Sequence, residues 1–193
     1  LRTTRRRMEE KGIILRCVDT ERDVKGLYNV LTRLNRDKHR MISHPYSLFR
    51  SFYQKLKPLG KAEFYVAEKE REILAGTILL RNNHHWEYCW GAADATVAKI
   101  GINTLLVDMM INDAVAAGAK TMGFGSSSPN DETLLKFKSR WGCVNRPINH
   151  YYWNTTPRKV DLNNGMPLLR SLIPHVPLKV IQLAAPYAVR LLA

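Results

Sequence analysis

The chain is short of cysteine, of acidic residues and of long apolar runs. Its three cysteines, Cys17, Cys89 and Cys143, are odd in number and far apart, with no CxxC pair or His-rich neighbour. Such spacing supports neither a disulfide framework nor a zinc site, and it fits a reducing, cytoplasmic setting. No apolar stretch reaches the about 18 residues that a bilayer span needs, so none is expected to cross a membrane. The opening Leu1-Arg2-Thr3-Thr4-Arg5-Arg6-Arg7 has neither the apolar centre of a signal peptide nor an initiator methionine. That start points to a processed, trimmed or partial chain with an upstream region missing. Glycine and proline, 11 and 9 of 193 residues, are near average usage and no repeat period is visible. Collagen-like, low-complexity and disordered chains are thereby excluded, and one ordinary domain is expected.

Acidic residues are the scarcer sign, 17 against 30 Lys and Arg, for a net charge of +13. The surplus is uneven: residues 1 to 61 hold sixteen Lys and Arg against six Asp and Glu, and residues 62 to 193 hold fourteen against eleven. This asymmetry suggests an anionic partner, whether nucleic acid, a phosphorylated small molecule or an anionic membrane surface; a solvated basic face is the plainer alternative. Arg5, Arg6, Arg7, Arg36, Lys38 and Arg40 are the candidates for polyanion contact.

What is present is strongly periodic. Ile13-Ile14-Leu15 with Val18 reads as a strand. Thr20 and Asp23 resemble a capping box, opening a helix whose Val24, Leu27, Tyr28, Leu31 and Leu34 form one apolar stripe. His44-Pro45 starts a second helix, stopped by Pro58 and Gly60. Phe64 to Ala67, Ile73 to Leu80 and Trp86 to Trp90 then read as an antiparallel meander. A long helix follows over 102 to 117, with Leu105, Leu106, Met109, Met110 and Val115 apolar and Gly118 as its stop. Thr121 to Phe124 reads as a strand, 130 to 140 as a helix with Leu134, Leu135, Phe137 and Trp141 inward, and 143 to 153 as a last extended stretch. The layout is α+β, a mixed, mostly antiparallel sheet with helices on its faces.

Four segments carry a family resemblance. They are Val66-Ala67-Glu68 through Leu74-Ala75-Gly76-Thr77; Tyr88-Cys89-Trp90-Gly91-Ala92; Ala117-Gly118-Ala119-Lys120 into Gly123-Phe124-Gly125-Ser126; and Leu134-Leu135-Lys136-Phe137-Lys138-Ser139-Arg140-Trp141-Gly142, which matches L-x-x-F-K-x-x-[FW]-G. The chain resembles the GNAT acyltransferase fold and, within it, the Fem family of peptidoglycan-bridge aminoacyltransferases with its FemAB-like and CelD-like acetyltransferase relatives. Arg5 to Gly12 is similar to the helix leading into the second of two GNAT-like units in full-length Fem proteins. The chain is then either a single-unit relative or the carboxy-terminal half of a two-unit enzyme. Residues 1–160 are expected to form the GNAT-like domain, with 1–12 as its lead-in helix, and 161–193 an apolar, basic helical tail.

The resemblance implies transfer of an activated acyl group to an amine, in which the protein orients donor and acceptor and stabilises an oxyanion. It makes Lys138 the candidate cation for that oxyanion, with Phe137 shaping the donor pocket. Gly123 and Gly125 flank Phe124 where a strand admits close approach of a ligand, and the strands near Cys89 to Gly91 and Gly123 to Gly125 are expected to diverge around it. Ser126, Ser127 and Ser128 are candidate donors to a phosphate or carboxylate. The family commonly has an acidic residue where this chain has Gly123. The pyrophosphate motif R/Q-x-x-G-x-G/A is also incomplete, Ala98-Lys99-Ile100-Gly101-Ile102-Asn103, which leaves Gly101 and Lys99 as a reduced phosphate site. Strand alternation puts His85, Glu87 and Cys89 on one face and His84, Trp86, Tyr88 and Trp90 on the other. Glu87 is the candidate general base, and adjacent histidines on opposite faces are not expected to share a metal.

The expected function is therefore acyl or aminoacyl transfer to an amine, which the resemblance places on a cell-envelope precursor, with no tightly bound cofactor. Acyl-CoA and aminoacyl-tRNA remain alternative donors. The tail from Leu172 onward suits either docking on the domain or peripheral contact at the inner face of a membrane. A non-catalytic GNAT-like module binding RNA or an anionic envelope lipid is the alternative.

Overall fold

A computed structural model describes residues 1–149, 151, 153 and 167–192. Its frame is a five-stranded sheet in sequence order, β1 (Ile14–Cys17), β2 (Ala62–Lys69), β3 (Glu72–Asn82), β4 (His85–Ala93) and β5 (Thr121–Gly123). The first four pair antiparallel and β5 runs parallel to β4. One face carries α2 (Glu21–Leu34) and α3 (Tyr46–Ser51), the latter continuing as a wider turn through Phe52–Leu56. The other carries α1 (Arg2–Glu10), α5 (Ile102–Ala116) and α6 (Glu132–Ser139), while α4 (Ala95–Ala98) links β4 to α5.

Alternation along the central strands separates two cores. Tyr65, Ala67, Ala75, Leu79 and Trp86 pack against Met8 of α1 and Ile102, Leu105, Leu106 and Met110 of α5. Phe64, Val66, Ile73, Ile78 and Ala92 pack against Val24, Leu27, Tyr28 and Leu31 of α2 and Phe49 of α3. The capping box at α2 is present in full, with Asp23 N–H donating to Thr20 Oγ1 and Thr20 N–H donating to the Asp23 carboxylate. Val115 departs from the expected apolar stripe of α5: it is 70% exposed, because it points away from the face on which its neighbours Met110 and Ala114 are buried in the core. None of the described residues between 143 and 153 is in a strand, and Val144, Ile148, Tyr151 and Trp153 are exposed; His150 and Tyr152 lie outside the described residues.

The carboxy-terminal part contains α7 (Pro167–Leu172), a short turn at Ile173–His175 and α8 (Leu178–Leu192). α8 lies on α2, tied by Gln182 Nε2 donating to Asn29 Oδ1 at 2.8 Å, with Ile181 and Ala185 buried. Among the described residues no helix is long and apolar enough to cross a membrane.

Candidate active site

β4 is the strand on which the site depends. Its pairing with β3 slips one residue between Ile78↔Trp90 and Leu79↔Tyr88, leaving Cys89 as the extra residue of a β-bulge. The bulge overturns the simple alternation: Trp86 and Tyr88 pack toward α5, but Trp90 turns to the opposite face and meets Phe49, Phe52 and His44. One inserted residue reverses the facing of everything after it.

On its other edge β4 pairs with β5 only through His85↔Thr121, Trp86↔Met122 and Glu87↔Gly123. β5 ends there, while β4 runs on to Ala93 against β3 alone. The two strands therefore part at Glu87 and Gly123, as the glycine pattern predicts. Tyr88 and Phe124 stack across the opening, with ring centroids 5.8 Å apart. Burial pushes the Tyr88 hydroxyl above its ordinary value.

Glu87 sits at that fork. One carboxylate oxygen, Oε1, accepts the Gly125 N–H at 2.9 Å, and Oε2 lies 3.1 Å from His85 Nε2. His85 Nδ1 is in turn 2.8 Å from Thr121 Oγ1. Gly123 lacks a side chain for a reason visible here, since a Cβ at this position would run into the Glu87 carboxylate. The carboxylate beside position 123 is thus that of Glu87, directly opposite in the ladder. Glu87 and His85 also line a groove of about 270 Å³ with Leu56, Lys61, Leu80, Arg81 and Asn82. Arg81 bonds Glu63 at 3.2 Å and lies over the Trp86 ring, and its Nε is buried without a partner. The sequence alone does not single out His85 or Arg81 for the site. The signal of each is only that of a polar residue at a strand end, which is common on solvent-facing edges.

Lys138 is 7% exposed, the most buried side chain of α6. Its ammonium donates to Gly125 O at 2.8 Å and Ser126 O at 3.3 Å, so it holds the turn that also presents the Gly125 N–H to Glu87. Burial pulls its pKa below the ordinary lysine value, partly offset by Cys143, Glu87 and Asp131. Phe137 packs against the α5 core, and the Ser127 hydroxyl oxygen is buried without a partner. The structure therefore gathers Glu87, Gly123, Phe124, Gly125, Ser126 and Lys138 around one opening. Gly101 adopts φ 87° as the residue before α5, a conformation costly for any residue with a side chain. Lys99 is exposed just before it, and a Cβ at Gly101 would come within 3.2 Å of Thr4 Cγ2 of α1.

The six polyanion candidates do not form one patch. Arg5, Arg6 and Arg7 are on α1, over the α5 face, with Arg5 3.4 Å from Asp108 and Arg6 2.8 Å from Glu10. Arg36, Lys38 and Arg40 lie in the turn that ends α2 on the other face, where Arg36 pairs with Asp37. Among the described residues no group of three His, Cys, Asp or Glu side chains converges to hold a metal ion.

A sheet splayed beside a bulged fourth strand, with a helix start after that strand, defines a GNAT-type acyltransferase fold. The family model "Acetyltransferase (GNAT) domain" matches residues 1–138, so the chain belongs to this acetyltransferase family. GNAT acetyltransferases move an acyl group from acyl-CoA to an amine without a tightly bound cofactor. Among solved structures the chain is similar to a possible acetyltransferase from Clostridium difficile 630 (TM-score 0.59, 12% identity, covering 75% of this chain and 99% of that one). It is also similar to the ribosomal-protein-S18-alanine N-acetyltransferase of Escherichia coli (0.58, 13%, 75% and 85%) and the glucosamine-6-phosphate N-acetyltransferase of Arabidopsis thaliana (0.54, 14%, 74% and 99%). At these identities the likeness is one of fold. No curated protein sequence matches the chain.

Proposed function

We propose that this chain transfers an acyl or aminoacyl group to a primary amine, with Glu87 as the general base. The observation that carries this is the Glu87 carboxylate at the fork of β4 and β5, held by Gly125 N–H and opening on the groove beside Leu80 and Leu56. An amine entering from that groove gives its proton to Glu87 as its nitrogen attacks the acyl carbon. His85, half-exposed and bonded to Glu87 Oε2, offers the proton a way to solvent. The Lys138 ammonium, with two donors on carbonyls, has a third N–H for the oxyanion, and Phe137, Phe124 and the Gly125–Ser127 turn shape the donor side. Lys99 and Gly101 supply the phosphate contact of the donor.

Lys61 at the groove favours an acceptor that carries an anionic group near its amine, as a cell-envelope precursor does. The reduced pyrophosphate motif keeps aminoacyl-tRNA beside acyl-CoA as donor. The second reading, a non-catalytic module that binds RNA or an anionic lipid, rests on the basic surplus and the reduced pyrophosphate motif.

The deciding measurement is product formation, by mass spectrometry, from acetyl-CoA or charged tRNA with a nucleotide-linked muropeptide as acceptor. Turnover should fall about a hundredfold or more in Glu87→Gln, with the loss smaller at high pH, where the amine is already neutral. Unchanged turnover in that variant removes Glu87 as base. No product with either donor favours the binding module.

A further inference from the structure

A second groove lies remote from the β4–β5 fork. It measures about 550 Å³ and runs between α2, the β2–β3 turn and α8, lined among others by Arg22, Lys25, Arg33, Arg71 and Lys179. Two acids share the lining, Asp23 and Glu72, and Asp23 is committed to Arg16 at 2.8 Å. Among the described residues no carboxylate lies within ion-pair distance of Arg22, Arg71 or Lys179, while Lys25 rests over the Tyr28 and Tyr46 rings and Arg33 pairs with Asp94 at 3.7 Å. A cationic groove left this poorly neutralised attracts phosphate.

The same helix that closes the groove presents an apolar face to solvent. α8 buries Ile181 and Ala185 against the domain, yet Val180, Leu183 and Tyr187 are 50%, 75% and 69% exposed, with Leu172 of α7 exposed beside them in sequence. Lys179 lies one turn before Leu183, so the groove and the apolar face meet along α8.

We propose that the α2–α8 face docks on an anionic lipid bilayer, with Val180, Leu183 and Tyr187 in the acyl boundary and the cations of the groove on headgroup phosphates. A helix with an apolar face flanked by cations is the form that lies in a membrane interface. Charge decides among occupants. A second copy placed symmetrically would bring Arg22, Arg71 and Lys179 toward their own counterparts, whereas a phosphate-bearing surface neutralises them. RNA would satisfy the groove but leave Val180 and Leu183 in water, because bases stack on aromatic rather than aliphatic side chains. The inference does not depend on the acyl-transfer reading, since none of these residues belongs to the fork.

The test is sedimentation of the chain with vesicles of phosphatidylcholine alone and of phosphatidylcholine mixed with phosphatidylglycerol, alongside tRNA binding and sedimentation equilibrium without lipid. Binding is expected to the mixed vesicles only. Arg71→Glu with Lys179→Glu should weaken it at least about fivefold for each cation reversed. Val180→Ser with Leu183→Ser should weaken it about tenfold, and Lys120→Glu, the same change of charge away from this face, should cost less than either groove reversal. All the substituted side chains are exposed, and an unchanged thermal midpoint verifies that each variant is folded. Absence of binding to mixed vesicles overturns the proposal, as does binding that responds equally to Lys120→Glu and the groove reversals. Self-association abolished by Val180→Ser with Leu183→Ser, without vesicle binding, replaces lipid by a second copy. RNA binding lost in the groove variant, again without vesicle binding, replaces it by RNA.

Discussion

Glu87 and Gly123 face each other across the last rung of the β4–β5 ladder, and only one of them can carry a side chain. Gly123→Ala should therefore act through Glu87. The new methyl displaces the carboxylate from Gly125 N–H, so turnover is expected to fall about a hundredfold. Because the displaced atoms are the end of a flexible side chain, stability should change by no more than about 1 kcal/mol. Full activity in purified Gly123→Ala would detach the position of Glu87 from the chemistry. Lys138 is tested on the same footing. Losing a group that meets the oxyanion costs about 3 kcal/mol, on the order of a hundredfold in turnover, with little change in donor affinity. Lys136, exposed and paired with Glu132, is the control. Equal turnover in Lys138→Ala and the unaltered chain would remove Lys138 from the site, and equal losses in Lys138→Ala and Lys136→Ala would indicate generic electrostatics.

At the scale of the element, the start of α2 couples a cap to a strand. Asp23 caps Thr20 and accepts from Arg16 of β1, which also pairs with Glu68 of β2. The Arg16 guanidinium holds the Asp23 carboxyl down to about 2 from 3.8, and hydrogen bonds from Thr20 act in the same direction. A depressed carboxyl stabilises the fold above its unfolded pKa and loses that contribution as pH falls through the folded one. The contribution, about 2 kcal/mol, is thus complete above about pH 5 and disappears toward pH 2. Urea titrations of Asp23→Asn should show a loss of this size at neutral pH and a flatter acid limb. An acid limb as steep as that of the unaltered chain would place the titrating group elsewhere. The cap was legible from Thr20 and Asp23 alone, because a capping box is local. Arg16 was not, because its partners lie seven and fifty-two residues away.

For the whole molecule, the position of the basic residues distinguishes the two candidate donors. The Arg5–Arg7 and Arg36–Arg40 sets flank opposite faces of the sheet, so only a large polyanion spans both. If charged tRNA is the donor, neutralising either set should weaken its binding and reduce the log–log salt slope by about one unit for each duplex phosphate that the protein no longer neutralises. If acyl-CoA is the donor, its affinity should respond to at most one set. tRNA binding that neither set alters at low salt would make this charge a solvated surface.

The helix stripes, the capping box, the meander and the Leu134–Gly142 motif were readable from the chain alone. Each is a pattern within one element or between neighbours in sequence, where periodicity and turn chemistry act. That order of elements, apart from the last strand expected over 143 to 153, and the motif segments carried the resemblance to the GNAT fold. The facing of Trp90, the burial of Lys138 and the separation of the basic residues were decided by the tertiary structure. A one-residue bulge at Cys89 leaves no mark in composition, yet it reverses every side chain after it. Lys138 has the sequence appearance of a surface lysine and is buried because the turn after β5 offers it two carbonyls. Glu87 shows both sides of this division. Its strand and its face were predictable by alternation, but its hold on Gly125 and its exclusion of a side chain at position 123 follow from a parallel pairing between segments thirty-six residues apart, which only the folded sheet brings together.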